Sequence, residues 1–258
     1  MLVAAALVPD TVLLVPGASG RRDAARPLRA AALDAVAAAT RGVDRVVVVA
    51  PDDRPPPRPD DAVVALVGRV RASLAPVGVP DHLLVDEVVR DLVDAADPGA
   101  VPAQDRLVAP AGAAVALHLL AAAGWSGPTA CLLVGSVPRA GAADGLRAAG
   151  RLVVDAGRTA LVVVGSASGR HGPDAPLADD PAAPAYDERL VADLATADPE
   201  AAGRLAALDA DEAAALAVTG WGPWQVLLGA RGRADVVADV HSALLLGAQH
   251  VVGTWVAA

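Results

Sequence analysis

Positive charge is in short supply in this sequence, and several residue types are missing from it altogether. The 258 residues include 21 basic residues against 30 acidic ones, which gives a formal net charge of −9. Every basic residue is arginine, and the chain contains no lysine, isoleucine, asparagine or phenylalanine. Nucleic-acid binding requires a positive surface for the phosphates, so this charge argues against a nucleic-acid partner.

Cysteine and long apolar runs are also scarce. Cys131 is the only cysteine, so an internal disulfide is excluded, and its apolar surroundings at 129–134 predict a small buried residue. No stretch reaches the ~18 consecutive apolar residues of a membrane span. The apolar segment 1–8 lacks the basic start of a signal peptide, and Pro9 and Asp10 interrupt it. We therefore expect a cytoplasmic protein without a membrane partner.

The apolar residues, which make up 54% of the chain, are arranged as strands that alternate with helices. This alternation predicts one α/β domain over 1–258, with a mostly parallel central sheet, flanking helices and an antiparallel C-terminal addition. The predicted strands are 2–8, 45–50, 130–134, 158–164, 235–245 and 250–256. The predicted helices are 26–40, 111–124, 138–156, 186–197, one that begins at 198, 209–218, and a short helix or turn at 221–229.

The segment between the second strand and the helix at 111–124 is less regular. Prolines in 51–60 predict a long loop at the rim of the sheet, because proline lacks the amide that regular structure needs. The apolar patterns of 62–75 and 86–95 are compatible with helices, and that of 79–85 is compatible with a strand or an edge segment.

Polar or glycine-rich residues follow four of the predicted strands. They are Asp10 after the first strand, Asp52 and Asp53 after the second, Ser136 after the third, and 166–171 after the fourth. The carboxyl ends of parallel strands meet at one edge of a sheet, and ligands bind in the crevice outside that edge. The sequence therefore predicts a binding crevice that these residues line.

The last of these segments belongs to a glycine-rich loop at 165–172. Glycines let backbone amides approach an anion, so phosphate or nucleotide binding is one hypothesis for this loop. The loop lacks the Gly-Lys-Ser/Thr ending of a Walker A motif, and Pro173 follows where a dinucleotide fingerprint needs a helix. A nucleophile elbow is not in register either, because Ala167 occupies the central position that serine would need.

Two of the five histidines are candidates for chemistry. His171 lies in the glycine-rich loop and His241 lies near a predicted strand, and imidazole either transfers protons or binds metals. His118 lies in an apolar helix and His250 begins the last strand, so both are predicted to be structural. His82 is predicted to lie at the surface.

Several stretches of the sequence resemble actinobacterial proteins that carry a class III extradiol ring-cleavage dioxygenase-like domain, the LigB-like fold. These stretches are 6–16, 44–49, 122–128, 161–170, 222–227 and 252–255. Protocatechuate-type dioxygenases and Memo-like proteins share this fold. The resemblance implies a non-haem Fe(II) held by two histidines and a carboxylate, a further histidine as acid–base, and a small aromatic, catechol-like substrate.

The positions that would carry this chemistry differ from the family pattern. Asp10 stands where the family has its first histidine ligand, and Asp52 lies in the region of the second. Gly169 replaces the acid–base histidine, with His171 two residues later. Where the family has its carboxylate, this chain has Ser242 and Ala243, beside His241. The rearranged site that the resemblance implies is therefore a metal bound by Asp10, Asp52 and His241, with His171 as the catalytic acid–base.

Three functions remain open on these residues. The first, which the loss of both histidine ligands favours, is a relative with lost or altered ring cleavage that keeps its crevice for a small molecule or a protein. The second is an active Fe(II)-dependent oxidoreductase acting on a catechol-like substrate. The third is a phosphate or nucleotide binder that uses 165–172. A homo-oligomer is compatible with each of them.

Overall fold

A central sheet with helices on both faces is the main feature of the fold. The computed structural model describes residues 1–19, 23–54, 61–95, 107–155, 157–175 and 177–258. Its strands are β1 (Leu2–Val8), β2 (Arg45–Asp52), β3 (Val63–Ala65), β4 (Gly68–Arg71), β5 (Val89–Leu92), β6 (Leu107–Val108), β7 (Thr129–Gly135), β8 (Thr159–Val164), β9 (Val236–Leu245) and β10 (Ala248–Ala257). Its helices are α1 (Arg26–Ala39), α2 (Ala111–Ala122), α3 (Ala143–Val153), α4 (Ala183–Thr196), α5 (Pro199–Ala206), α6 (Ala210–Ala215) and α7 (Trp221–Arg231).

The main sheet has the strand order β3-β7-β2-β8-β1-β10-β9. The four strands β7, β2, β8 and β1 run parallel, and β10 and β9 extend the sheet antiparallel beyond β1. The α/β class and the antiparallel C-terminal addition are therefore confirmed. The centre of the sheet is parallel, and β3 adds one further antiparallel pairing at the opposite edge, so the sheet as a whole is mixed.

Each face of the sheet has its own apolar cluster. Alternate residues of a strand point to opposite faces, and β1 illustrates this alternation. Ala5 and Leu7 pack on the side of α3 to α7, whereas Ala4, Ala6 and Val8 pack on the side of α1 and α2. The strands at the centre are thus buried on both faces, as their continuous apolar sequences predict.

The region between β2 and α2 contradicts the predicted helices. Residues 62–75 form β3 and β4, residues 86–95 contain β5, and 79–85 contains a short 3-10 helix rather than a strand. Strands β5, β4 and β6 form a second, three-stranded sheet. Gly68 is one reason, because its φ of 116° interrupts any helix at that point. Short apolar runs also do not distinguish a helix from a strand by periodicity alone.

The remaining helices lie close to their predicted places. Helix α3 begins at Ala143 rather than at 138, because Gly141 has a φ of 81° and ends the preceding turn. Asp198 and Asp209 cap α5 and α6, and each accepts a hydrogen bond from an amide of the first turn. Part of the predicted rim loop at 51–60 lies outside the described residues, and β2 continues to Asp52.

Helices α3 and α7 approach each other closely through two glycines. A Cβ on Gly150 would lie 2.0 Å from the carbonyl oxygen of Val226, and one on Gly229 would lie 2.1 Å from that of Arg147. Backbone therefore meets backbone at this crossing, and only glycine fits. Helix α7 begins two residues after Thr219, so the contact between α3 and α7 also fixes the position of Thr219.

The single cysteine lies in the apolar core. Cys131 is 1% exposed, and burial raises the pKa of its thiol to about 12, so it is a small buried residue as predicted. Among the described residues, none of the helices is both long enough and apolar enough to cross a lipid bilayer.

Candidate functional site

The polar ends of the four parallel strands meet at one edge of the main sheet. Val8 at the end of β1 pairs with Val164 of β8, and Asp52 at the end of β2 pairs with Gly135 of β7. The amide of Ser136 donates to the carbonyl of Asp52 and holds the turn after β7 against β2. An open cleft of about 420 Å³ lies outside this edge. The structure therefore places a crevice where the sequence predicts one.

The cleft combines a few polar side chains with apolar ones. The polar side chains are Asp10, Asp52, Asp53, Arg54, Ser136 and Thr219. The apolar lining includes Pro51, Pro76, Val77, Val108, Ala109 and Pro110. A small number of converging polar groups in an apolar concave surface is the usual composition of a small-molecule site.

A buried chain of hydrogen bonds holds Asp10 in the cleft. The hydroxyl of Ser166 donates to Oδ1 of Asp10 at 2.6 Å, and its oxygen lies 3.0 Å from Nδ1 of His250. Ser166 and His250 are only 6% and 5% exposed, whereas Asp10 is partly exposed and lines the cleft. Ser166 follows β8 and His250 lies on β10, so this chain spans the end of β1, which lies between those strands.

The donors and acceptors in this series of hydrogen bonds determine where its protons lie. Serine has one hydroxyl proton, and the contact with the carboxylate uses it, so Nδ1 of His250 is the donor to the serine oxygen. Burial lowers the pKa of His250, and the negative charge of Asp10 opposes this effect only in part. His250 is therefore neutral at pH 7 and carries its proton on Nδ1. These hydrogen bonds orient the Asp10 carboxylate and do not activate Ser166 as a nucleophile.

The cleft carries an excess of negative charge. Arg54 neutralises Asp52, because its Nε and Nη2 lie 3.0 and 2.9 Å from Oδ2 of that carboxylate. Within the described part of the chain, Oδ2 of Asp10 and the carboxylate of Asp53 accept no hydrogen bond. Two carboxylates are thus available to hydrogen-bond donors of a ligand, and their field favours a cation over an anion.

The glycine-rich loop uses its amides within the protein. The amides of residues 165, 166, 167, 168, 169, 171 and 172 donate, in that order, to Val8, Thr219, Gln249, Asp187, Leu216, Gly247 and Asp179. An anion-binding loop needs several amides that are free to point at the ligand. The geometry of 165–172 therefore gives no support to phosphate or nucleotide binding by this loop.

His171 does not line the cleft, so the structure does not support its predicted role as an acid–base there. Its Nε2 lies 2.6 Å from Oδ2 of Asp187, a residue that is 3% exposed. The same carboxylate accepts the hydroxyl of Ser168 at 2.6 Å and the amide of Ser168 at 3.1 Å. These contacts satisfy a buried carboxylate and tie the loop after β8 to α4.

The three predicted metal ligands are not brought together. Asp10 and Asp52 line the cleft, but His241 lies on the outermost strand β9, where its Nε2 is 3.2 Å from Oδ1 of Asp239. Within the described residues, no three side chains of His, Cys, Asp or Glu form a group that could hold a metal ion. The residues present therefore do not fit the two-histidine, one-carboxylate iron centre that the family resemblance implies.

Sequence reasoning misses three residues that contribute to the site. His250 is predicted to be structural, yet it supports Asp10 through Ser166, because β10 lies beside β1. Thr219 accepts the amide of Ser166 at 2.9 Å and lines the cleft, although no local pattern marks it. Arg54 follows two aspartates, and that adjacency is the one signal in the sequence for its ion pair with Asp52.

The two buried histidines predict a loss of stability at mildly acidic pH. Burial lowers the pKa of both His118 and His250 from the ordinary value of 6.5. The unfolded chain then binds protons that the folded chain does not, so the free energy of unfolding falls as the pH falls below about 6.5. Between pH 7.0 and 5.5 we expect a loss for each histidine that is bounded by the pKa of the unfolded chain at about 1.3 kcal/mol.

Urea denaturation at the two pH values measures this loss. The variants His118→Gln and His250→Gln should each reduce the pH dependence, whatever they do to the stability at pH 7. Equal free energies of unfolding for the wild type at pH 7.0 and pH 5.5 would show that these imidazoles titrate normally in the folded protein.

Comparisons with known proteins add to the fold and not to the chemistry. No protein-family model matches the chain, and no curated protein sequence matches it. Among solved structures, the chain is similar to the crystal structure of an uncharacterized protein from Escherichia coli K12. The TM-score is 0.50 at 13% sequence identity, and the match covers 98% of this chain and 99% of the other. At this identity the likeness shows the fold alone.

Proposed function

We propose that this chain binds a small molecule in the cleft at the carboxyl ends of β1, β2, β7 and β8. The observation that carries the proposal is the hydrogen-bonded chain from His250 through Ser166 to Asp10. Burying polar groups is unfavourable unless they are paired, and here the paired groups end on a carboxylate that faces the cleft. Such support for a partly exposed side chain is typical of a binding site whose geometry must be kept.

The proposal includes a relationship to the extradiol dioxygenase-like proteins in which ring cleavage has been lost or altered. Two observations favour this version over an active iron enzyme. Asp10 takes up a position supported by a serine and a histidine, and His241 lies away from the cleft on β9. The crevice is retained without the assembled ligand set.

The lining of the cleft indicates the chemical class of the ligand. A volume of about 420 Å³ admits a molecule of about one aromatic ring with substituents. Oδ2 of Asp10 and the Asp53 carboxylate are available as acceptors for hydrogen bonds from a ligand, so the ligand carries amino or hydroxyl donors. Pro76 and Val77 offer apolar contact to its ring. An anionic ligand is disfavoured by the same two carboxylates.

A series of single-ring ligands tests this proposal by thermal denaturation. Benzylamine and catechol present hydrogen-bond donors, whereas benzoate presents a negatively charged acceptor. A ligand at about 100 times its dissociation constant stabilises a protein by about 2.7 kcal/mol. For a chain of this length that stabilisation corresponds to a rise in Tm of about 5–10 °C. We expect this rise with benzylamine and catechol and no rise with benzoate.

Fe(II) added alone under anaerobic conditions is the matched probe for the metal-dependent alternative. The proposal predicts no change in Tm with Fe(II), because the described residues do not assemble a ligand set. Stabilisation by Fe(II) that Asp10→Ala abolishes would instead support an iron-dependent oxidoreductase. Stabilisation by benzoate equal to that by benzylamine would contradict the proposed ligand class.

A further inference from the structure

Strand β9 is a long edge strand whose outer side has no partner among the described residues. It contains ten residues and is the last strand of the main sheet. Its register with β10 runs without a break from Val236 to Leu245, so no bulge interrupts it, and it contains no proline. Proteins commonly protect such edges with short strands, bulges, prolines or lysines, and an unprotected long edge pairs readily with another strand.

The hydrogen-bonding direction of β9 follows from one contact at its start. The carbonyl of Asp235 accepts the amide of Ala258, so Asp235 directs its backbone groups towards β10. Successive residues of a strand direct their amide and carbonyl groups to opposite sides. The even-numbered residues from 236 to 244 therefore direct theirs outwards, where a second strand could pair with them.

Exposed apolar side chains accompany this edge. Val237 and Leu244 on β9 are 65% and 57% exposed, and Leu246 in the turn that follows is 63% exposed. Burial of such side chains against a partner removes apolar surface from water and favours association. Val237 and Leu244 lie within the strand itself, so a strand laid against β9 would contact both of them.

The polar side chains on β9 are complementary to a second copy of the same strand, because a carboxylate accepts a hydrogen bond from an imidazole. Asp239 and His241 lie on either side of Val240, and their side chains are 79% and 71% exposed. If two β9 strands pair antiparallel about a two-fold axis at Val240, Asp239 of each copy lies directly opposite His241 of the other. These two residues form a non-hydrogen-bonded pair, in which the facing side chains are closest, at a Cα separation of about 4.5 Å.

We propose that two copies of this chain pair antiparallel along β9 about a two-fold axis at Val240. Pairing joins the two seven-stranded sheets into one continuous sheet. Val240 pairs with itself through outward backbone groups, and the two Asp239–His241 contacts set the register. The occupant is a second copy rather than a different protein, because the complementary donor and acceptor side chains lie on the strand itself. The cleft lies at the ends of other strands, so this interface is independent of ligand binding.

A charge swap tests both the dimer and its register by sedimentation velocity. Asp239→Arg replaces the acceptor that faces His241 by a guanidinium, which only donates, at two symmetric contacts, and we expect the dissociation constant of the dimer to rise about tenfold. Combining Asp239→Arg with His241→Asp places an acceptor opposite the guanidinium across the axis and should return the dissociation constant to near the wild-type value or below it. Both side chains are largely exposed, so the fold and its circular dichroism should not change.

Asp155→Arg is the matched control, because it makes the same charge change at an exposed position far along the chain from β9. This variant should dimerise as the wild type does. A wild-type protein that stays monomeric, or an Asp239→Arg variant that dimerises as tightly as the wild type, would overturn the proposal. A dimer that the double variant fails to restore would overturn the proposed register.

Discussion

Gly150→Ala is expected to lower the free energy of unfolding by about 3 kcal/mol or more. The new methyl group would lie 2.0 Å from the carbonyl oxygen of Val226 and 2.8 Å from the amide nitrogen of Ala230. Both are backbone atoms of α7, so no side-chain rotation relieves the contact and the two helices must separate. Urea denaturation of the variant and the wild type measures the difference.

Gly203→Ala is the matched control, because it makes the same substitution in the interior of another helix, α5. A Cβ at Gly203 meets nothing within 4 Å. Alanine there removes the backbone freedom that glycine has in the unfolded chain and should raise the free energy of unfolding by about 0.5–1 kcal/mol. The two variants should therefore have opposite signs. Equal effects would mean that α3 and α7 are not in backbone contact at Gly150.

Asp187→Ala is expected to have an effect of similar size for an electrostatic reason. The Asp187 carboxylate is buried and accepts hydrogen bonds from His171 and from both the hydroxyl and the amide of Ser168. Its removal leaves these buried donors without an acceptor, and breaking a buried pair in this way costs about 3–5 kcal/mol. Urea denaturation of the variant should show the loss.

Asp193→Ala gives the comparison on the same helix, α4. Asp193 accepts from Arg204, whose side chain is 57% exposed. Loss of such a surface contact should cost no more than about 1 kcal/mol. If Asp187→Ala destabilises the protein no more than Asp193→Ala does, the buried cluster around His171 does not hold the loop after β8 in place.

The position of the binding edge could be predicted from the sequence because it depends on local signals. Apolar β-branched runs predict parallel strands, and Asp10, Asp52 and Ser136 follow them directly. The ends of parallel strands share one edge whatever their order in the sheet. The prediction of helices within 62–95 was wrong for the converse reason, since short apolar runs fit a helix and a strand equally well.

The support for Asp10 could not be predicted, because it depends on long-range pairing. His250 reaches Ser166 only because β10 pairs with β1, and no spacing within the sequence specifies that neighbour. The same reason explains His241, whose place next to a predicted strand made it a plausible ligand. The strand in question is the outermost one of the sheet, so His241 pairs with Asp239 instead.

The dissociation constant of benzylamine for the wild type and for Asp10→Asn tests the central claim most directly. This substitution keeps the size of the side chain and its contact with Ser166 but removes the charge that faces the cleft. Calorimetric titration should show binding that is about tenfold or more weaker in the variant, because hydrogen bonds to a charged group contribute about 1.5–3 kcal/mol. An unchanged dissociation constant in a folded Asp10→Asn protein would show that the ligand does not bind at this carboxylate.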